Sequence, residues 1–164
     1  MPTSMQTNKM VEVRMGEIQS VTAPDRLRAI LGSCIGVSIF DSSQRIGSMA
    51  HVVLPECAPG KENTTLGRFA NTAIPAMVDE LKSLTGSLGR IRAKIAGGAS
   101  LFAATSPGLK IGEMNIAKVE ETLKAMGIPI IGRHLGGDKG RRITFDLESG
   151  EVIVEIQGKE VARL

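Results

Sequence analysis

Residues 31–54 read LGSCIGVSIFDSSQRIGSMAHVVL. Two short apolar runs, Ile35 to Phe40 and Ile46 to Val53, flank the polar turn Asp41-Ser42-Ser43-Gln44. Runs of this length, rich in β-branched residues and bounded by turn residues, read as paired strands. If Ser42 and Ser43 form the loop, partner positions sum to 85: Phe40 faces Arg45, Ser38 faces Gly47, Gly36 faces Met49 and Cys34 faces His51. One face then carries Ile35, Val37 and Ile39 against Ile46, Ser48, Ala50 and Val52, which is fit for a core. The other carries Cys34 and His51 as direct neighbours, with Cβ atoms about 4.5 to 5.5 Å apart. Gly36, Ser38 and Gly47 thin this second face and predict a groove in which a substrate chain lies.

Outward from this pair, Val11, Val13 and Met15 alternate with polar residues as in a half-buried strand. Leu27 to Leu31 reads as a strand leading into Gly32-Ser33-Cys34, and Pro55 to Leu66 as a loop. Phe69, Ala73, Ile74, Met77, Val78 and Leu81 recur at helical spacing between Arg68 and Leu84, with a kink or restart expected at Pro75. Arg90 to Ala96 is a strand running into Gly97-Gly98-Ala99-Ser100. A second helix spans Glu113 to Met126, with Ile116, Val119 and Leu123 on one face and Gly127 after its end. Ile128 to Ile131 is a short strand, and Ile143 to Phe145 and Val152 to Ile156 form a hairpin around Glu148-Ser149-Gly150. About eight strands and two main helices in mixed order indicate an α/β or α+β layered domain. Residues 1–9 read as a flexible tail and residues 10–164 as one domain.

Composition narrows the function. With 164 residues, 42% apolar and 23% charged, the chain is an ordinary folded domain. Four Phe and no Trp or Tyr leave few platforms for stacking bases. Its 20 basic and 17 acidic residues are mostly interspersed, so no focused field for nucleic acid arises. The local exception, Lys139, Arg141 and Arg142, reads as a solvated turn rather than an anion site. No apolar run is long enough to span a bilayer and residues 1–13 are polar, without the apolar run of a signal peptide, so a cytoplasmic protein without membrane insertion is expected. In that compartment Cys34 and Cys57 are expected to be free thiols.

A thiolate is the reactive form of cysteine, and an adjacent imidazole that accepts its proton activates it. Cys34 and His51 fit that chemistry, with N–H groups around Gly32 and Ser33 as oxyanion donors. The same two residues also fit a structural reading, as a small buried hydrophobe and a hydrogen-bonded core histidine. Gly98 and Ser100 lie where backbone approaches a substrate, or form a plain turn. Asn115 reads as a helix cap or a wall of the site, His134 as a loop residue and Cys57 as incidental. No cofactor is expected. Cys34, His51, Cys57 and His134 lack the paired short spacing of metal ligands, so no metal is expected either.

Leu31-Gly32-Ser33-Cys34-Ile35-Gly36-Val37 followed by Gly47-Ser48-Met49-Ala50-His51-Val52-Val53-Leu54-Pro55 resembles the signature of the chemoreceptor glutamine deamidase family (CheD). Ala93 to Ala99, Ile111-Gly112-Glu113-Met114-Asn115, Gly136-Gly137 and Gly140-Arg141 match in order, over nearly the whole chain beyond its first ten residues. The resemblance implies a three-layer α/β sandwich with mixed β-sheets and two main helices. It also implies Cys34 as nucleophile, His51 as base, Gly32, Ser33, Gly98 and Ser100 against the substrate, and conversion of receptor Gln to Glu through a thioester. Chemoreceptor cytoplasmic helices are the implied substrate and a chemotaxis phosphatase (CheC) the implied partner. The family commonly has a Thr shortly before the Cys, thought to complete a triad, where this chain reads Arg28-Ala29-Ile30-Leu31. Thr22 and Ser33 are the nearby hydroxyls. The departure keeps open a catalytically weakened binding or regulatory module, and an acyl transferase is a third class.

Overall fold

The computed structural model describes residues 8–60, 65–101 and 110–164. Most of the expected tail, residues 1–7, lies outside the described residues, but Lys9 is already engaged, its carbonyl accepting Arg26 N–H at 2.8 Å. Among the described residues ten strands and two long helices follow in chain order: β1 Met10–Glu12, β2 Ile18–Thr22, β3 Arg26–Leu31, β4 Ile35–Asp41, β5 Ile46–Val52, α1 Ala70–Thr85, β6 Ile91–Gly97, α2 Ile111–Ala125, β7 Ile130–Leu135, β8 Arg141–Asp146, β9 Val152–Ile156 and β10 Lys159–Arg163. They form a central sheet ordered β2-β5-β4-β6-β7 and an outer sheet ordered β1-β3-β8-β9-β10. Each sheet is mixed, with β6 and β7 parallel in one and β1 and β3 parallel in the other.

The three expected layers are present, as two sheets and a helical layer. Ile35, Val37, Ile39, Ala50, Val52 and Ile95 pack against Ile74, Met77 and Leu81 of α1 and Val119 and Leu123 of α2. The opposite face of the central sheet meets Leu27, Ala29, Leu31, Ile143, Phe145 and Val154 of the outer sheet. β4 and β5 are therefore covered on both faces, and all seven residues of each are buried.

The pairing of β4 with β5 differs from the sequence expectation by two residues. Partners sum to 87, with Phe40 opposite Gly47, Gly36 opposite His51 and Ile35 opposite Val52. The loop has four residues, Ser42 to Arg45, because Asp41 organises it. One oxygen of the Asp41 carboxylate accepts Ser43 N–H at 2.9 Å and Ser43 Oγ–H at 2.5 Å, and the other accepts Gln44 Nε2–H at 2.9 Å and Gly89 N–H at 2.9 Å. Such an Asx-type turn competes with a two-residue hairpin, and here it also ties the loop to the start of β6. A slip of two preserves which face each side chain occupies.

The groove expected over Gly36, Ser38 and Gly47 is filled by the outer sheet. A Cβ built on Gly36 would lie 2.4 Å from Ile143 Cδ1, and one on Gly47 would lie 2.6 Å from Leu147 Cδ1 and 3.0 Å from both the Phe145 ring and the Ile39 carbonyl oxygen. The glycines thin this face so that a second sheet can close on it. Phe40 meets Phe145 edge to face, with ring centres 5.7 Å apart.

Other differences are local. β2 and β10 were not expected; both are edge strands with few apolar residues, IQSVT and KEVAR. The first strand stops at Glu12, and Met15, expected inside it, is 65% exposed. β7 begins and ends later than expected, placing His134 on a strand rather than in a loop. Pro75 lies inside α1, so no restart occurs.

Gly47→Ala is predicted to cost about 1–3 kcal/mol by overpacking, measured as a lowered urea midpoint at an unchanged m-value. Asp41 has its pKa held well below its ordinary 3.8, chiefly by the Ser43 hydroxyl. Its contribution to stability is therefore full above that pH and is lost as pH falls toward the folded value.

Candidate active site

The last rung joining β4 to β5 is Ile35 with Val52. Beyond it the two chains diverge. The Cys34 carbonyl accepts Gly98 N–H and the Gly32 carbonyl accepts Ala99 N–H, both at 3.0 Å, so the cysteine segment follows the continuation of β6. Val53 and Leu54 instead donate to the Arg68 carbonyl at 2.9 and 3.0 Å. Cys34 and His51 lie at this fork on the same face, toward the outer sheet, with His51 opposite Gly36 and Cys34 two residues before it. They are diagonal neighbours, for which spacings of about 7–8 Å are usual, rather than directly opposed. No hydrogen bond between the thiol and the imidazole is formed among the described residues.

His51 is fixed at three points by residues 13–17. Its N–H donates to the Glu17 carbonyl at 3.0 Å, its carbonyl accepts Gly16 N–H at 2.9 Å, and its ring Nδ1 lies 2.9 Å from the Val13 carbonyl oxygen. A carbonyl only accepts, so Nδ1 carries the hydrogen and Nε2 keeps its lone pair. Gly16 sits at φ +80°, and a Cβ on Gly67 would come within 2.4 Å of the Gly16 oxygen, so both glycines are needed to seat this loop.

No Thr takes part in this contact. Arg28 points away from the inter-sheet face and pairs with Glu12, its Nε donating at 2.6 Å. Thr22 closes the far end of β2 opposite Ile46. The group that orients His51 is a main-chain carbonyl, which no side-chain motif reveals.

The pair is buried, with Cys34 8% and His51 4% exposed, while Gly32, Ser33, Val53 and Ser100 around it are half-buried. Burial pushes the Cys34 thiol above its ordinary 9.0, against the effect of its own backbone N–H. Burial also pushes the imidazole below its ordinary 6.5, opposed by the Val13 carbonyl and the charge of Glu17. Both groups therefore rest neutral near pH 7, as thiol and imidazole rather than thiolate and imidazolium.

The other expected substrate-side residues are drawn together by backbone contacts. Gly97 and Gly98 have φ of +117° and +72°, and Cβ atoms there would lie 2.1 Å from the Cys34 oxygen and 2.6 Å from Ile116. The close backbone approach read from this Gly-Gly pair is thus an approach to Cys34 itself. Ser100 N–H donates to the Gly137 carbonyl at 2.9 Å, and Gly136 N–H to the Gly97 carbonyl at 2.9 Å. Asn115 is no cap: it lies inside α2, is fully buried, and its Nδ2 donates to the Ser33 and Val53 carbonyls, both at 3.0 Å.

Arg141, expected in a solvated turn, is 4% exposed. It opens β8 opposite Leu31, and its guanidinium turns inward to donate to the His134 carbonyl at 2.6 Å, to His134 Nδ1 at 2.8 Å and to the Gly136 carbonyl. It thereby braces the 134–137 turn against the Gly97–Ser100 loop. Cys57 is buried and unpaired, its N–H held by Asn71 Oδ1 at 3.0 Å. No group of three metal-binding side chains forms among the described residues.

A thiol on the same face as an imidazole of fixed tautomer is the equipment of cysteine hydrolases. Residues 53–156 match the family model described as CheD chemotactic sensory transduction. Over 145 residues the chain is 37% identical to a protein of Methanococcus maripaludis, covering 88% of this chain and 94% of that one. It is 38% identical over 154 residues to one of Desulforamulus reducens, covering 92% and 93%. A protein of Moorella thermoacetica is 39% identical over 153 residues, covering 91% and 92%. All three are named probable chemoreceptor glutamine deamidase CheD. The chain belongs to the CheD family. Among the described residues no helix is long and apolar enough to cross a membrane.

Two titrations follow from the neutral pair. Alkylation of Cys34 by iodoacetamide, resolved from Cys57 by peptide mapping, is expected to show a midpoint above 9; a midpoint near or below about 7 would reveal a preformed thiolate instead. Because the folded pKa of His51 is lowered, the unfolded chain binds its proton first as pH falls below 6.5. Stability should therefore fall through that range and level off below the folded value. His51→Gln is expected to flatten part of this slope in urea unfolding between pH 7.5 and 5; an unchanged slope contradicts the assignment.

Proposed function

We propose that this protein deamidates glutamine side chains of chemoreceptors, with Cys34 as nucleophile, His51 as general base and residues 10–164 acting as one domain. The observation that carries the reading is the Val13 carbonyl at 2.9 Å from His51 Nδ1, which leaves Nε2 as the free base on the face that holds Cys34. The family names of the relatives supply the substrate class.

Nε2 takes the thiol proton as sulfur attacks the carboxamide carbon, because a neutral pair transfers its proton on attack rather than beforehand. Backbone N–H groups in the Gly32 to Cys34 segment hold the resulting oxyanion. Those of Gly98, Ala99 and Ser100 already donate to Cys34, Gly32 and Gly137, so their part is to hold the segment in place. His51 then returns the proton to nitrogen, the C–N bond breaks and ammonia leaves a thioester. Water, deprotonated by His51, attacks the thioester; the C–S bond breaks, giving Glu and the free thiol. The product side chain carries one more negative charge, which shifts repulsion between neighbouring receptor helices. The same reading takes the cytoplasm as the place of action and a CheC-type phosphatase as regulatory partner.

Incubation with cytoplasmic receptor fragments, read by mass spectrometry, is expected to add about one dalton at specific glutamines as NH2 is exchanged for OH. Cys34→Ala should abolish the shift, and His51→Ala should slow it by about 10²- to 10⁴-fold. No shift with folded protein that still binds the fragments would favour the regulatory module. A larger adduct in the presence of added amine would favour an acyl transferase.

A further inference from the structure

We infer that Asn115 is a positioning residue of the deamidation site, holding the nucleophile and base segments at their working separation. The inference rests on the assignment of Cys34 and His51 made above. Its basis is where the amide sits. In the β4–β5 register the rung after Ile35 with Val52 would pair Cys34 with Val53, and the main chain does not make it. Gly32 and Cys34 have turned toward Ala99 and Gly98, while Val53 and Leu54 have turned toward Arg68. The Asn115 side chain enters this fork from α2, and its two amide hydrogens bridge the Ser33 and Val53 carbonyls at 3.0 Å each. One side chain thus stands in for the missing rung, one residue before the nucleophile and two after the base.

Three features separate this from ordinary packing. Both partners are carbonyl oxygens, so the amide can present only its NH2 group, and its orientation is fixed without ambiguity. Asn115 Oδ1, by contrast, is buried and has no hydrogen-bond partner. A position kept only for its packing would be better filled by an apolar isostere, since an orphaned buried acceptor is a net cost. Finally, α2 is seated closely against the site. A Cβ on Gly112 would come within 2.5 Å of the Gly98 oxygen and 2.7 Å of the Ala99 oxygen, so the helix lies directly against the loop that holds the Cys34 carbonyl. The side chain is therefore delivered by an element already in contact with one arm of the fork, and it reaches across to the other.

Leucine at this position removes both bridges and the orphaned acceptor but leaves the Ser33 and Val53 carbonyls without that donor, so Asn115→Leu is expected to fold with a lowered melting temperature. Its kcat for receptor deamidation should fall about 100-fold with KM little changed, the penalty typical of small misplacement of reacting groups. Coupling to the base is the decisive readout: in a His51→Ala background, Asn115→Leu should have almost no further effect, because no base is left to align. A folded Asn115→Leu within threefold of wild-type kcat, or effects that multiply independently with His51→Ala, would overturn the inference. If the leucine variant fails to fold, Asn115→Ser, which also removes the bridge, is read in the same way. Should wild-type protein deamidate no fragment, the function above has failed, and Cys34 alkylation by iodoacetamide takes over as the readout. Asn115→Leu must then change the alkylation rate where His51 is present and not in His51→Ala; equal rates in all backgrounds reject the positioning role independently.

Discussion

The carboxylate of Asp41 fixes more of this protein than any residue of the site. By gathering Ser43, Gln44 and Gly89 around one turn, it sets a four-residue loop and with it the register of β4 against β5. Every consequence at the other end of the hairpin inherits that register. Ile35 meets Val52, His51 lies opposite Gly36, and Cys34 falls one position beyond the ladder, where the chain is free to turn. Had the loop held two residues, Cys34 would be pinned within the ladder against His51. The observed arrangement leaves it on a fork outside the ladder that other groups must brace, which explains why so many backbone contacts converge there.

Those braces come from three directions. Val13, Gly16 and Glu17 hold the histidine, Gly98 and Ala99 hold the cysteine segment, and Asn115 spans the two. Behind the Gly98 loop stands the 134–137 turn, whose carbonyls occupy the buried guanidinium of Arg141. A buried cation with carbonyl partners and, among the described residues, no carboxylate is expensive to desolvate, and that cost is offset here by making one group close a turn at several points. Most of the contacts are to main-chain atoms. Side-chain identity matters where a Cβ has to be absent, as at Gly97 and Gly98, or where a donor must reach across, as at Asn115 and Arg141.

Sequence periodicity exposed the central strands, both helices and the shared face of Cys34 and His51, because a two-residue error in register leaves the alternation of faces intact. It did not expose the loop length, since Asp41 acts through side-chain hydrogen bonds that a run of turn residues does not specify. Gly36 and Gly47 were legible as small but not as a seat for another sheet; the partner that fills the space, Ile143 to Leu147, lies a hundred residues away in the chain. Arg141 looked like surface charge for the same reason, its burial being decided by strands on either side of it. Asn115 did leave a trace: it precedes Val119 and Leu123 at four-residue spacing on the buried stripe of α2, where a polar residue has to have a partner. The Val13 carbonyl left none, because every residue has one.

The neutral resting state of the thiol and imidazole follows from the same closure that fills the groove. A second sheet over β4 and β5 removes water from the site, and without water a thiolate and an imidazolium are both disfavoured unless they sit in direct contact. The register holds them diagonally apart, so that contact is not made at rest. On the proposed mechanism an arriving carboxamide changes this balance, since its carbonyl develops the negative charge while sulfur gives its proton to the imidazole. On that proposal, holding the cysteine uncharged until then keeps a reactive sulfur from other electrophiles, and makes the geometry of the fork, rather than a low thiol pKa, the feature that carries the chemistry.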